Sequence, residues 1–398
     1  MHGLDLEADG GRRPTARRPR IALYSHDTQG LGHVRRNLGI AGALAASELS
    51  PEILLLSGTP YARAFDLPPR TDCLILPSLR KSLDGSYAGR LDTEVLIPVR
   101  AQAIAGALEA FRPDLLVVDK VPRGAFGELE SALQLHRSRG GRAVLGLRDV
   151  LDAPDVVAWE WQQMRGTEAV AEHYDAVWVY GDPRVYDPVA EYAMPAGVAD
   201  KVHYTGYLAP RIRQPRRVGS PLILGLLGGG QDGYALARSL LDAKLPPGAT
   251  AVVVTGPYMP ADQRQRLERS VATRPDRRVV EFVPDTGGLI AEAAAVVAMG
   301  GYNTVCEILA SGVPALIVPR TVPRREQQIR AERLEALGVV ETCPVAGLTP
   351  QRISRWVDTA LHSLPRRRAI IDTEGLAVIP DLAASLCRTA IGAGRAAS

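Results

Sequence analysis

The first half of the chain contains a histidine placed for acid–base chemistry. His33 follows two glycines, Gly30 and Gly32, where a short apolar run gives way to an amphipathic stretch. Glycines let the backbone turn sharply and leave its donors open to a ligand. A neutral imidazole at a helix start can abstract a proton, because its ordinary pKa of about 6.5 lies near working pH. The alternative is that His33 only caps the helix.

An acid ends another apolar run of the same half. Asp119 closes the segment Leu115–Asp119, and a carboxylate at that position can orient an imidazole and stabilise its protonated form. The same side chain can instead cap the helix that follows the strand. The sequence leaves both roles open, and it does not by itself place Asp119 beside His33.

The second half contains two glycine-rich turns, each between an apolar run and an amphipathic stretch. Open backbone N–H groups and the positive end of a helix dipole favour an anion such as a diphosphate at turns of this kind. The alternative is that the glycines only permit close packing of strand and helix. The residues concerned are Gly229, Gly230 and Gln231 in the first turn, and Gly300, Gly301, Asn303 and Thr304 in the second.

Carboxylate and amide side chains follow the second turn. Glu307 is predicted one helical turn beyond Asn303 and on the same face, where it can hold two ribose hydroxyls. It can equally complete a capping box with Thr304. Glu326 and Gln327 open a further helix, where they can bind sugar hydroxyls or simply form a solvated helix start.

Parallel strands must position these turns. Short apolar runs alternate with longer amphipathic stretches in both halves, which is typical of parallel sheets covered by helices. We therefore predict two doubly wound, Rossmann-like α/β domains facing each other across a cleft, with the turns at the carboxyl ends of the strands. The predicted division is a basic tail over 1–19, a first domain over 20–208, a linker over 209–219, a second domain over 220–374, and a final helix and tail over 375–398.

The predicted strands of the first domain are 21–25, 53–57, 73–77, 115–119, 143–147, 176–180 and 202–205. Those of the second domain are 222–227, 251–255, 279–282, 295–298 and 315–318. Among the predicted helices are 34–47, 93–111 and 125–139 in the first domain, and one beginning at Asn303 or Thr304 in the second.

Composition excludes several classes of protein. The chain has 398 residues, 46% of them hydrophobic, which suits two globular domains. The net charge is +3, and residues 11–20 alone contain five arginines, so the bulk numbers suggest no nucleic-acid groove. Four scattered cysteines indicate neither a zinc site nor a disulfide framework and favour the cytoplasm. We find no signal peptide and no apolar run near the roughly 18 residues that span a bilayer, so membrane contact is expected to be peripheral at most.

With these residues in place, the chain resembles GT-B glycosyltransferases. It is similar to the MurG type, which has a family 28 C-terminal domain, to the UDP-glucuronosyl and plant glucosyltransferase type, and to a bacterial group of predicted glycosyltransferases. The resemblance covers most of residues 20–390 and is most specific over Gly228–Gly233 and Phe282–Gly338.

The resemblance implies a role for each matching residue. His33 corresponds to the base of the plant-type enzymes, and Asp119 to the acid that orients it, which MurG-type enzymes lack. Phe282 and Val283 correspond to a pair beside the uracil base, and Glu307 to the acid on the ribose. The diphosphate loops correspond to Gly229, Gly230, Gln231, Gly300, Gly301, Asn303 and Thr304; the pair on the donor sugar to Glu326 and Gln327; and the acceptor-side loop to Gly30 and Gly32.

Some positions depart from the family pattern. Met299 stands where glucuronosyltransferases carry a phosphate-binding histidine, and Arg320 or Arg325 could replace that contact. Gly230 replaces a serine of the MurG loop. The segments 78–92, 119–123 and 148–152 are expected to line the acceptor pocket, and their mixed charges suit a polar or anionic acceptor.

The resemblance implies an inverting, metal-independent transfer of a hexose-type sugar from a nucleotide sugar to a hydroxyl acceptor, with a UDP-sugar as the expected donor. No metal, resident cofactor or nucleic-acid partner is predicted. Two alternatives stay open. One is a non-hydrolysing UDP-sugar 2-epimerase, and the other is a non-catalytic protein that binds a nucleotide sugar, which Met299 keeps in consideration.

Overall fold

The computed structural model describes residues 17–27, 31–81, 87–89, 91–211, 219–283, 285–362 and 371–396. They form two parallel sheets covered by helices, together with a two-stranded hairpin. The predicted basic tail lies outside these residues up to position 16, as do the central part of the predicted linker (212–218) and Gly30.

The first domain is built on a seven-stranded parallel sheet. Its strands are β1 (Arg20–Ser25), β2 (Glu52–Ser57), β3 (Thr71–Ile75), β6 (Leu115–Asp119), β7 (Arg142–Arg148), β8 (Ala176–Tyr180) and β9 (Val202–Tyr204), while β4 (Arg80–Lys81) and β5 (Tyr87–Ala88) form the hairpin. Its helices are α1 (Gly32–Ala46), α2 (Thr93–Phe111), α3 (Glu130–Ser138), α4 (Pro154–Gln163), α5 (Gly166–His173), α6 (Pro188–Glu191) and α7 (Ala196–Ala199).

The second domain is built on a six-stranded parallel sheet. Its strands are β10 (Leu222–Leu226), β11 (Thr250–Val254), β12 (Arg277–Val280), β13 (Ala295–Ala298), β14 (Ala315–Ile317) and β15 (Glu341–Thr342). The helices that follow the first domain are α8 (Tyr234–Asp242), α9 (Ala261–Val271), α10 (Thr286–Glu292), α11 (Tyr302–Ser311), α12 (Glu326–Ala336), α13 (Pro350–His362) and α14 (Gly375–Ala396).

The strand order of each sheet reverses at one point, and the glycine turns lie there. The first sheet runs β3-β2-β1-β6-β7-β8-β9, and the second runs β12-β11-β10-β13-β14-β15. The direction of winding changes between β1 and β6 in the first and between β10 and β13 in the second. Crevices outside the carboxyl ends of strands at such switch points are where open α/β sheets bind ligands. At or just after the carboxyl ends of these four strands lie His33, Asp119, Gly229 and Gly301.

The predicted fold class is confirmed, and every predicted strand overlaps an observed one. The hairpin β4–β5 and the short strand β15 were not predicted. The helix predicted from Ala125 begins instead at Glu130, because Gly124 and Phe126 have φ angles of 70° and 53°, which no α-helix accommodates. Helix α11 begins at Tyr302, one residue before the predicted start.

One hydrophobic core passes through both domains. It includes Leu23 and Val117 of the first sheet, Val296 of the second, and Tyr302 between them. Helix α14 returns to the first domain, where it packs against α1. Among the described residues, we find no helix long and apolar enough to cross a membrane.

A buried ion pair also joins the domains. Arg330 on α12 donates through Nε and Nη2 to both carboxylate oxygens of Asp149, at 2.8 and 2.7 Å, and both side chains are fully buried. Asp149 follows β7 of the first domain and also accepts a hydrogen bond from Tyr207, at 2.8 Å. These bonds hold the two sheets in one relative orientation.

Candidate active site

A cavity of about 1150 Å³ lies between the carboxyl edges of the two sheets. Both domains contribute to its wall, as expected for crevices at two facing switch points. Most of the residues singled out in the sequence line this interdomain cavity: Gly32, His33, Gly229, Gly230, Gln231, Phe282, Val283, Gly301, Asn303, Thr304, Glu326 and Gln327.

Three of the predicted site residues lie behind the cavity wall. Asp119 is buried directly behind His33. Gly300 turns the chain with φ 83°, and its carbonyl accepts a hydrogen bond from Arg330. Glu307 is covered by residues of both domains, as described below. Gly300 and Glu307 are therefore not among the residues that line the cavity in this conformation.

The structure brings His33 and Asp119 together. The Nδ1 atom of His33 lies 2.8 Å from Oδ2 of Asp119, because β1 and β6 are neighbours and Ser25 is in register with Asp119. Arg36, one turn further along α1, also donates to this carboxylate and is buried. The arrangement is therefore a histidine and an arginine sharing one buried carboxylate.

The charges of this cluster determine which nitrogen of His33 carries the proton. Burial alone would raise the pKa of Asp119, but Arg36 and His33 outweigh it and hold the pKa well below its usual range. Nδ1 of His33 lies 2.8 Å both from Oδ2 of Asp119 and from Nη2 of Arg36. In the tautomer that a general base requires, Nδ1 donates to the ionised Asp119. Nε2 then keeps its lone pair and is available as a base. Burial also lowers the pKa of His33, which favours the neutral ring.

Sequence reasoning did not identify His26 and Arg36 as parts of this cluster. The ring of His26 packs against that of His33, with 4.9 Å between centroids, and lines the same cavity. Burial, and then the neighbouring His33, lowers the pKa of His26 well below its ordinary value. For Arg36 a signal was present, since a charged residue three positions beyond His33 lies on the same helix face.

The first glycine turn of the second domain explains one departure from the family pattern. Gly230 has φ 90°, and a Cβ atom there would lie 2.0 Å from the carbonyl oxygen of Thr255. A serine at this position would therefore collide with the backbone. The loop approaches the turn after β11 so closely that only glycine fits.

The second glycine turn opens helix α11 towards the cavity. Gly301 is the N-cap residue and has no side chain to occupy the first free N–H groups of the helix. Asn303 donates from its side chain to the carbonyl of Gly32 across the cleft, at 3.1 Å. Met299 lines the cavity beside this turn. An apolar side chain therefore occupies the position at which glucuronosyltransferases carry a phosphate-binding histidine.

Glu307 is bound by an arginine of the opposite domain. Its Oε1 atom accepts hydrogen bonds from Arg35 on α1 at 2.7 Å and from Thr286 at 2.9 Å. No capping bond to Thr304 accompanies these contacts among the described residues, so the carboxylate joins the two domains and does not cap its own helix. Burial raises the pKa of Glu307. In this conformation Arg35 occupies the carboxylate that the family pattern assigns to a ribose.

The pair that opens α12 is positioned by one arginine. Glu326 accepts a hydrogen bond from the guanidinium of Arg320 at 3.0 Å, and Gln327 accepts one from its backbone N–H at 3.1 Å. Burial would raise the pKa of Glu326, but Arg148 and Arg320 outweigh it and lower the pKa. Of the two arginines considered as replacements for the missing histidine, Arg320 lines the cavity and Arg325 does not.

Two aromatic pairs join the domains beside the cavity. Phe65 of the first domain meets Phe282 edge to face, with 6.0 Å between ring centroids, and Tyr61 meets Tyr258 in the same way at 5.4 Å.

Within the described ranges, no group of three or more His, Cys, Asp or Glu residues is placed to hold a metal ion.

Comparisons with known proteins agree with this architecture. Residues 228–375 match the model of the glycosyltransferase family 28 C-terminal domain. A UDP-N-acetylglucosamine–N-acetylmuramyl-(pentapeptide) pyrophosphoryl-undecaprenol N-acetylglucosamine transferase of Cronobacter sakazakii is 30% identical over 186 residues, which is 44% of this chain and 50% of that protein. The chain thus spans about half the length of the curated relatives that it matches.

Solved structures extend the likeness to both domains. The structure of Acinetobacter baumannii MurG aligns with a TM-score of 0.54 at 16% identity, covering 92% of this chain and 99% of that one. The structure of LpCGTa in complex with UDP aligns with a TM-score of 0.60 at 16% identity, covering 95% and 98%. The chain has the GT-B fold of glycosyltransferases, and residues 228–375 of its second domain match the family 28 C-terminal domain. The resemblance to MurG-like GT-B proteins is confirmed.

Proposed function

We propose that the protein is an inverting glycosyltransferase that moves a hexose-type sugar from a UDP-sugar to a hydroxyl group of an acceptor, without a metal. The observation that carries this proposal is the interdomain cavity, which has His33, bonded to the buried Asp119, on one wall and two open glycine turns on the other. The matched relatives support the donor class, since their name includes UDP-N-acetylglucosamine.

The first domain would supply the base. Nε2 of His33 takes the proton of the acceptor hydroxyl as its oxygen attacks the anomeric carbon, and Asp119 stabilises the resulting imidazolium. Attack from the face opposite the leaving group inverts the anomeric configuration. Closure of the two domains around bound donor and acceptor would exclude water, which would otherwise compete with the acceptor.

The second domain would hold the donor. Phe282 and Val283 would lie beside the uracil ring. Glu307 would bind the ribose hydroxyls after Arg35 withdraws. The leaving diphosphate receives its charge stabilisation from backbone N–H groups at Gly229 and Gly301 and from the dipole of α11. Glu326 and Gln327 bind hydroxyls of the sugar.

We expect Glu307→Ala to weaken UDP binding by about 10- to 100-fold, because two hydrogen bonds from ribose hydroxyls to a charged acceptor are lost. Arg35→Ala is the matched control. It removes the competitor for the carboxylate, so UDP affinity should be unchanged or higher. Calorimetric titration of both variants with UDP measures the difference. Equal weakening in the two variants would mean that Glu307 only joins the domains.

We expect Arg36→Met to move the acid limb of the pH–rate profile to higher pH. Arg36 lowers the pKa of His33 through its positive charge. Removing that charge raises the pKa, so His33 becomes protonated, and inactive as a base, at a higher pH. The measurement is turnover at saturating donor from pH 5 to 8 at constant ionic strength. An unmoved acid limb would assign the titrating group elsewhere.

The proposal itself is tested by incubating the purified chain with UDP-N-acetylglucosamine and UDP-glucose. Slow release of UDP without acceptor, and its acceleration by a suitable hydroxyl compound, are the expected results. Formation of an epimeric nucleotide sugar from donor alone would identify a 2-epimerase instead. Binding of UDP with no turnover under any condition would favour a non-catalytic binding protein.

A further inference from the structure

We propose that Lys120 and Arg148, on the first-domain wall of the interdomain cavity, form a subsite for an anionic group, a carboxylate or a phosphate, carried by the acceptor or by the transferred sugar. This inference rests on the proposed function and extends it by stating the charge of one substrate. Neither residue has a role in the mechanism described above.

The sheet places these two cations at one edge. Lys120 directly follows β6, and Arg148 is the last residue of the neighbouring strand β7. Asp119 is in register with Gly146, and the backbone N–H of Lys120 donates to the carbonyl of Gly146 at 3.2 Å. Both side chains line the cavity. They therefore reach it from adjacent strand ends, next to the carboxylate that contacts His33.

The other cavity-lining arginines have acidic partners, whereas these two cations do not. Within the described part of the chain, neither Lys120 nor Arg148 has a side-chain hydrogen bond or ion pair, and Nε of Arg148 is buried without an acceptor. Glu326 and Glu160 lie within electrostatic range of these cations but are paired with Arg320 and Arg324. Two cations without a direct partner in a recessed site are costly, and a bound anion would offset that cost. The paired arginines are Arg35 with Glu307, Arg36 with Asp119, Arg123 with Glu130, Arg165 with Glu168, Arg320 with Glu326 and Arg324 with Glu160.

The electrostatics of the pair favour the binding of an anion. Burial, followed by the charges of Arg148 and Arg324, lowers the pKa of Lys120 to about 7. Burial lowers the pKa of Arg148 to about 10. The Lys120 backbone has φ 63°, a left-handed conformation that is unfavourable for a residue with a Cβ atom and is often found at functional sites. An anion between the side chains would stabilise both charged forms.

The neighbours of the pair indicate which part of the reactants carries the anion. Lys120 lies within electrostatic range of Arg324, Glu160 and Glu326, and Glu326 is assigned to the donor sugar. The turns assigned to the diphosphate belong to the opposite domain. The pair therefore faces the place where sugar and acceptor meet. Arginine beside lysine there suits a carboxylate or phosphate, which accepts several charged hydrogen bonds at once.

Two pairs of probes test the subsite by calorimetric titration of the full chain. UDP-glucuronic acid and UDP-glucose differ by a carboxylate on the sugar. N-acetylglucosamine 1-phosphate and N-acetylglucosamine, added to UDP-saturated protein, differ by a phosphate on an acceptor-like sugar. In at least one pair, the anionic probe should bind about 10- to 100-fold more tightly than the neutral one. The pair that shows the preference identifies the source of the anion.

Variants connect that preference to the two residues. Lys120→Met and Arg148→Met should each remove most of it while leaving the affinity for the neutral probe unchanged, and Arg148→Lys should retain part of it. Arg165→Met is the control, because Arg165 is a cation at the exposed side of the same cavity and should not affect the preference. Thermal unfolding of each variant checks that the fold is intact.

Three results would overturn the inference: no preference for either anionic probe in the unmodified protein, equal weakening of anionic and neutral probes in the variants, or an equal loss of affinity for UDP alone. The last would assign the pair to the donor diphosphate. If UDP does not bind at all, the proposed function is wrong. Titration with N-acetylglucosamine 1-phosphate and with N-acetylglucosamine in the absence of UDP still tests the subsite.

Discussion

Replacing His33 by alanine should lower turnover by about 10²–10⁴-fold, the usual contribution of a positioned general base. The substitution removes the imidazole, which lines the cavity, while the donor turns on the opposite wall are unchanged. UDP affinity should therefore be nearly the same as in the unmodified protein. The measurement is a single-turnover assay at saturating donor, together with a calorimetric UDP titration.

His203→Ala provides the matched control for this result. His203 is exposed on β9 of the same sheet and does not line the cavity, so turnover should be unaffected. Asp119→Asn is a second informative variant. Its amide can donate to Nδ1 and thus favour the wrong tautomer of His33, so turnover should fall although the ring remains. Full activity in His33→Ala would mean that this histidine is only a structural partner of Asp119.

Arg330→Met should lower the free energy of unfolding by about 3–5 kcal/mol, the cost of leaving one member of a buried ion pair without its partner. Asp149 would keep only the hydrogen bond from Tyr207 as its side-chain partner among those described above. The pair joins α12 to the end of β7, so the loss should also loosen one domain relative to the other. Chemical denaturation followed by circular dichroism measures the change.

Two further variants separate the buried charge from other causes. Arg333→Met removes an exposed interdomain partner of Glu191 and should cost no more than about 1 kcal/mol. The double variant Asp149→Asn/Arg330→Met removes both charges and should recover part of the stability lost in Arg330→Met. If Arg330→Met and Arg333→Met are equally stable, the buried pair does not hold the domains together.

Local sequence signals were sufficient for the architecture. Alternation of apolar runs and amphipathic stretches marks every predicted strand, because a strand buried on both faces must be apolar along its length. The signals failed where backbone conformation depends on close packing. The start of α3 at Glu130 is set by left-handed residues at Gly124 and Phe126, and the short strand β15 has too few residues to form a pattern.

The residue types of the site could be predicted from the sequence, but the contacts between those residues could not. The sequence by itself determined the residue types at the switch points, since glycines, a histidine and acids must stand where strands end if they are to meet a ligand. Only the tertiary structure decided which of them meet: Asp119 with His33 and Arg36, and Glu307 with Arg35 of the other domain. It also decided that Lys120 and Arg148 line the same cavity. These contacts join residues far apart in the chain, and their energies depend on burial and distance, which no local pattern of residues records.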